Sequence, residues 1–146
     1  MRIIVADDSA LLREGIAGLL ERQGHEVVGQ AASATELLAV VEQQAGAGVD
    51  VVITDVRMPP DLTDDGLRAA LRIREAHPQI AILLVSQYVA PEYANQLFGS
   101  DAGVTPEGVG GLGYLLKDRV ARVADFLRSL AVVAAGGVVV DPDVAA

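Results

Sequence analysis

Short, continuous apolar runs alternate along this chain with longer segments in which apolar residues return every three or four positions. Residues 2–6 form the first run, rich in β-branched side chains, the pattern of a strand buried on both faces of a parallel sheet. It stops at Asp7 and Asp8. Over residues 9–23 Leu12, Ile16, Leu19 and Leu20 recur with a helical period, with Ser9 placed to cap the start and Gly24 to end it. The unit then repeats. Residues 26–31 read as a strand, 34–44 as a helix, and 49–54 as a buried strand ended by Asp55. After a proline-rich turn, 66–76 is helical and 80–85 is the most hydrophobic strand, ended by Ser86. Pro91 suits the first turn of a helix reaching about residue 98. Residues 99–111 are glycine-rich and predict a loop, 112–116 a fifth strand, and 119–135 a last helix that Asp118 caps and Gly136 and Gly137 end.

Five strands alternating with five helices require parallel pairing through right-handed crossovers. The expectation is a doubly wound α/β fold: a five-stranded parallel sheet with helices on both faces. Residues 138–146 fall outside that scheme, and their Val-Val-Val-Asp-Pro run reads as the start of a linker. A chain of 146 residues suits one domain with one core, so a single site is sought. Aromatic residues are scarce, so that core is aliphatic.

The formal charge of −9 opposes a phosphate backbone, and no stripe of Lys and Arg is present to neutralise successive phosphates, so DNA binding by this stretch itself is not expected. Without cysteine there is neither a disulfide framework nor a thiolate metal site, which fits a reducing compartment and makes a cytoplasmic location the expectation. The opening MRIIVADDSA is too short an apolar run for a signal peptide or membrane span.

Candidate chemistry lies where the strands end. Ligands of open α/β sheets bind beyond the carboxyl ends of the strands, near the point where strand order reverses. Asp7, Asp8, Asp55, Ser86 and Lys117 all stand at such ends and should meet at one edge. Gathered carboxylates repel, so either some keep raised pKa values or a cation lies between them, and a hard divalent ion is the simpler solution. Magnesium suits so few protein oxygens, because it retains waters and phosphate oxygens where calcium would need more ligands. Lys117 makes sense if an anion also visits. Metal, lysine and aspartate together suggest phosphoryl transfer to a carboxylate.

The ordered set of Asp7-Asp8, Asp55 followed by Val-Arg-Met-Pro-Pro, Ser86, Tyr114 and Lys117 within Tyr-Leu-Leu-Lys-Asp resembles the receiver domains of two-component response regulators. It covers residues 1–135, and the stretches Ser-Gln-Tyr-Val at 86–89 and Tyr-Leu-Leu-Lys-Asp-Arg at 114–119 are most similar to the NarL/LuxR subfamily. The resemblance implies a flavodoxin-like receiver over 1–135, followed at 136–146 by the start of a linker to a helix-turn-helix output domain, so that a fragment of a bacterial transcription regulator is expected. It also implies phosphorylation of Asp55 by a histidine kinase, with Mg2+ held by the carboxylates of Asp8 and Asp55 and the backbone carbonyl of Arg57, and Asp7 acting through metal-bound water. Ser86 and Lys117 would bind phosphoryl oxygens, and Tyr114 would be the aromatic that changes rotamer. The phosphorylated form would pair as a homodimer, with DNA a partner of the full-length protein and no membrane involved. Such a chain is a phosphoacceptor switch that assists its own phosphorylation and dephosphorylation, not an enzyme acting on a separate substrate.

The chain departs from that family in a longer turn over 60–65, with Pro60, Asp61 and Thr63 inserted, a longer loop over 99–111, and Gln87 where many members have a small residue. Taken singly, the polar residues have plain readings: Asp7 and Asp8 as helix caps, Asp55 as a turn residue, Ser86 as a cap, Lys117 as a surface lysine. Jointly these do not explain the shared edge. His25 and His77 fall at turns with no partner pattern and are expected to face solvent. A magnesium-dependent phosphatase with an aspartyl-phosphate intermediate wants a second acid just after the nucleophile, and Val56-Arg57 offers none. A degenerate receiver acting only as a binding module would have lost an acid or the lysine, and all are present.

Overall fold

The structure, a computed structural model, describes residues 1–87, 91–98 and 110–142. Its elements follow the expected alternation: β1 (Arg2–Ala6), α1 (Ala10–Arg22), β2 (Glu26–Ala31), α2 (Ala34–Gln44), β3 (Val51–Asp55), α3 (Asp65–Ala76), β4 (Ala81–Ser86), α4 (Pro91–Phe98), β5 (Leu112–Leu116), α5 (Lys117–Val120), α6 (Val123–Ala134) and β6 (Val138–Val140). All pairings are parallel and the strand order is β2-β1-β3-β4-β5-β6. The order reverses between β1 and β3, which puts the crevice at the carboxyl ends of those two strands.

Successive residues of a strand face opposite sides of the sheet, so the uninterrupted apolar runs feed two cores. On one face Ile4, Val52, Ile82 and Leu84 pack with Leu37 and Val41 of α2, Leu67 and Ile73 of α3, and Leu97 of α4. On the other, Ile3, Val5, Ile53, Leu83 and Val85 pack with Ile16 and Leu20 of α1 and with Val120, Phe126, Leu130 and Val133 of α5 and α6. Ser9 caps α1 as expected, its side chain accepting from the Leu12 amide at 3.3 Å.

Two expectations need correction. The sheet has six strands rather than five, because Val138–Val140 adds to the free edge of β5, Leu112 pairing with Val138 and Tyr114 with Val140. An exposed edge offers unpaired amides and carbonyls, and three valines suffice to cover it. The next residue, Asp141, is fully buried; its amide donates to the Tyr114 carbonyl at 2.8 Å, and its carboxylate accepts from the Leu116 amide at 3.1 Å and from Arg119 Nε and Nη2 at 3.2 and 3.3 Å. Secondly, the single helix expected over 119–135 is two, α5 and α6. At about 100° per residue, Val120 lies roughly 120° away from the stripe of Phe126, Leu130 and Val133 on a straight helix, and the break lets both face the core. Asp118 consequently sits inside the first turn of α5 instead of capping a long helix.

The loop expected over 99–111 lies outside the described residues except for Gly110 and Gly111. Neither histidine faces solvent freely: both are half-buried, His77 Nε2 lying 2.9 Å from Glu42 and the His25 ring 3.2 Å from the N-terminal amine. Among the described residues no helix is long and apolar enough to cross a membrane.

Candidate phosphoacceptor site

The expected strand-end residues converge. Asp7 and Asp8 follow β1, Asp55 closes β3, Ser86 closes β4 and Lys117 follows β5. The parallel register aligns Asp55 with Val85 and Ser86 with Leu116, so these side chains stand at one level. Asp7, Asp8 and Asp55 each present a carboxylate oxygen within 4.8 Å of the other two. Lys117 Nζ lies between two of them, 3.1 Å from Asp55 Oδ2 and 3.2 Å from Asp7 Oδ2. Above them opens a cleft of about 330 Å³ lined by Asp8, Ser9, Asp55, Arg57, Leu62, Ser86, Gln87 and Lys117.

Burial distinguishes the three acids. Asp8 is exposed while Asp7 and Asp55 are buried. Asp7 is fixed by its own turn: its amide donates to the Ala31 carbonyl at 3.0 Å, its carboxylate accepts from the Ser9 amide at 2.8 Å, and its carbonyl accepts from Arg13. Burial pushes the Asp55 carboxyl up to about 6, with Lys117 pulling against it and Asp7 and Asp8 adding to the rise. Burial also disfavours the Lys117 ammonium, but Asp55 and Asp7 more than offset it and hold the lysine above its ordinary value. A buried carboxylate with a raised pKa beside two further acids and a fixed cation makes this cluster the candidate functional site.

The donor set fits magnesium. Three hard carboxylate oxygens, one of them on the open side of the cleft, leave space for water and for phosphate oxygens, as a small octahedral cation requires. Arg57, two residues beyond the end of β3, is exposed and lines the cleft.

The model of the response regulator receiver domain matches residues 3–105. The chain belongs to that family. NreC, the oxygen regulatory protein of Staphylococcus carnosus (strain TM300), is 32% identical to the receiver over 143 residues, covering 97% of this chain and 58% of NreC. The isolated REC domain of RcsB from Salmonella enterica serovar Typhimurium, solved in the presence of phosphomimetic BeF3−, superposes with a TM-score of 0.76 at 25% identity, covering 99% of this chain and 96% of that one. A two-component response regulator of the LuxR family from Aurantimonas sp. SI85-9A1 does so with the same TM-score at 27% identity, covering 99% and 91%. The receiver spans about half the length of the curated relatives it matches.

Tyr114 of the receiver is fully buried behind Ser86 and shares a side-chain hydrogen bond with it. Burial raises the tyrosine pKa while that bond lowers it, the net direction being upward. The described conformation is therefore the one with Tyr114 already turned into the sheet, and not the solvent-facing one from which a switch is expected to start.

Sequence reasoning passed over several residues that build this site. Gly66, read only as the beginning of a helix, lies against β3: a Cβ there would stand 1.7 Å from the Asp55 carbonyl oxygen, and its amide donates to the Val56 carbonyl at 2.8 Å. Only glycine allows α3 to approach so closely. Thr54 Oγ1 donates to the Asp55 carbonyl at 3.0 Å, and Met58, just after Arg57, is fully buried and anchors the turn. Asp65, in the inserted turn, is buried and accepts from the amides of Asp61 and Thr63 at 3.1 Å each.

Proposed function

We propose that Asp55 takes a phosphoryl group from a phosphohistidine of a histidine kinase, and that this receiver is the switch of a LuxR-type transcription regulator. One observation carries the reading: the buried Asp55 carboxylate lies within 4.8 Å of those of Asp7 and Asp8 and is held by Lys117 at 3.1 Å. In this reading the Asp8 and Asp55 carboxylates and the Arg57 carbonyl are direct ligands of Mg2+, and Asp7 acts through water. Magnesium bound there would supply positive charge to offset the carboxylates and the phosphoryl oxygens.

The protein's own groups do the rest. Asp55 is the nucleophile, pointed at the cleft by the end of β3. Lys117, already paired with Asp55 and Asp7, is placed to exchange part of that pairing for a phosphoryl oxygen without moving far. The Ser86 hydroxyl lines the same cleft and also bonds Tyr114, so a new acceptor on Asp55 competes for it and reaches the aromatic behind. The surface around α4 and β5 is the output, changed through Ser86 and Tyr114. The inward and outward states of Tyr114 differ in population by the phosphate's differential interaction with them. In this reading residues 136–146, although Val138–Val140 pairs with the sheet, begin the connection from the receiver to an output domain that binds DNA. With a charge of −9, the receiver itself repels DNA and acts through pairing with a second copy.

Exposure to acetyl phosphate with and without magnesium, followed by intact-mass and peptide mass spectrometry, tests this. A single magnesium-dependent addition at Asp55, absent from Asp55→Asn, is expected. Full-rate labelling of Asp55→Asn refutes the assignment.

A further inference from the structure

The longer turn over 60–65 borders the cleft, with Leu62 among the residues that line it. Among the described residues Leu62 is the only non-glycine residue with positive φ, at 57°. A large apolar side chain rarely adopts that conformation, and such strain persists only where the surroundings over-determine it, most often at functional sites. The surroundings here do. The Leu62 amide donates to the Met58 carbonyl at 3.1 Å. On either side of it, Asp61 and Thr63 donate their amides to the two oxygens of Asp65, and Thr63 Oγ1 adds a third bond at 3.2 Å. Arg68 locks the acids from outside through Asp64 at 2.9 Å and Asp65 at 3.3 Å. Asp65 is followed by Gly66, whose backbone rests on Asp55. The turn is thus referenced rigidly to the phosphoacceptor.

This framework holds up a side chain that gains little from packing. Leu62 is 55% exposed, yet it lines the mouth of the cleft together with Asp8, Arg57, Gln87 and Lys117. Among the described residues that line the cleft it is the only large aliphatic group.

We propose that Leu62 determines the lifetime of the acyl phosphate by screening it from water. The proposal rests on the reading of Asp55 as phosphoacceptor. In the hydrolysis it restrains, a water oxygen bonds to phosphorus as the bond from phosphorus to the Asp55 carboxylate oxygen breaks. The carboxylate leaves with the electron pair, and the water's proton passes to a phosphate oxygen, giving inorganic phosphate and free Asp55. An apolar group over the entrance lowers the occupancy of a suitably placed water without touching any group that bonds the phosphate.

The test is the decay of the phosphorylated protein, loaded with acetyl phosphate, freed of donor, and followed by intact mass in magnesium. Leu62→Ala and Leu62→Asn should lose the phosphoryl group about three- to tenfold faster than wild type, and Leu62→Met should restore the slow rate. Asparagine tolerates the left-handed backbone, so a merely structural role predicts a stable turn and an unchanged lifetime for that variant. Equal decay of all four proteins overturns the role of Leu62 while leaving Asp55 assigned. Failure of wild type to gain the modification on Asp55 overturns the phosphoacceptor reading, and this one with it.

Discussion

Removing the Arg119 guanidinium takes two donors from a carboxylate buried at the edge of the sheet. The Asp141 side chain is 1% exposed and that of Arg119 22%, and the fork of Nε and Nη2 spans both carboxylate oxygens at 3.2 and 3.3 Å. Breaking a buried pair by deleting one partner typically costs about 3–5 kcal/mol, because the remaining charge stays desolvated. Here the Leu116 amide continues to donate to Asp141 at 3.1 Å, and a cleft of about 130 Å³ beside the pair, lined also by Arg122, admits compensation. We therefore expect Arg119→Ala to cost about 2–3 kcal/mol. With an unfolding entropy of about 2.1 cal/mol/K per residue, that loss lowers the melting temperature by roughly 7–10 °C. Circular dichroism melts in one buffer measure it. Asp141→Asn in the Arg119→Ala background removes the stranded charge but keeps an acceptor for Leu116, and should recover at least half of the loss. Amide exchange at Val138, Val139 and Val140 should quicken in the single variant, since Asp141 ends the strand they form. A melt of Arg119→Ala within about 2 °C of wild type, or no recovery in the double variant, refutes the claim that the ion pair fastens β6.

The remaining expectations concern the cleft. Asp8→Ala should weaken magnesium binding more than Asp7→Ala in calorimetric titrations; equal or reversed losses contradict the assignment of Asp8 as the direct ligand and Asp7 as the one acting through water. In metal-free buffer the raised Asp55 pKa makes folding favour the protonated acid, so its contribution is fully present below about pH 4 and is lost as pH rises through about 6. Asp55→Asn should therefore gain roughly 2–3 kcal/mol on wild type between pH 4 and pH 7, read from denaturant melts at both values, and a constant difference contradicts the buried carboxylate. Ser86→Ala, phosphorylated to the same extent as wild type, should lose the amide-exchange or NMR response over residues 112–117; identical responses dismiss the Ser86–Tyr114 route. The 146-residue chain should not shift DNA at physiological salt, and sequence-specific binding in a mobility-shift assay contradicts the charge argument.

Much of this protein is written in short-range pattern. A strand buried on both faces must be apolar throughout, and a polar residue must mark where it leaves the core, so β1, β3, β4 and β5 and their terminal Asp7, Asp55, Ser86 and Lys117 could be read without coordinates. Parallel connection then sends all these ends to one edge, which is why a three-acid, one-lysine site followed from order alone. What escaped depends on partners distant in sequence. Val138–Val140 is too short to declare itself a strand and becomes one only because the β5 edge is free and Asp141 finds Arg119. The break between α5 and α6 follows from two apolar stripes that one straight helix cannot turn to the same core. The closeness of Gly66 to Asp55, the inward Tyr114 and the strained Leu62 are matters of contact between segments, and contact distances are set by packing, not by periodicity. The sequence by itself determined which groups reach the candidate cleft; tertiary structure decided how those groups are buried, paired and covered, because desolvation and close approach exist only once the layers are packed.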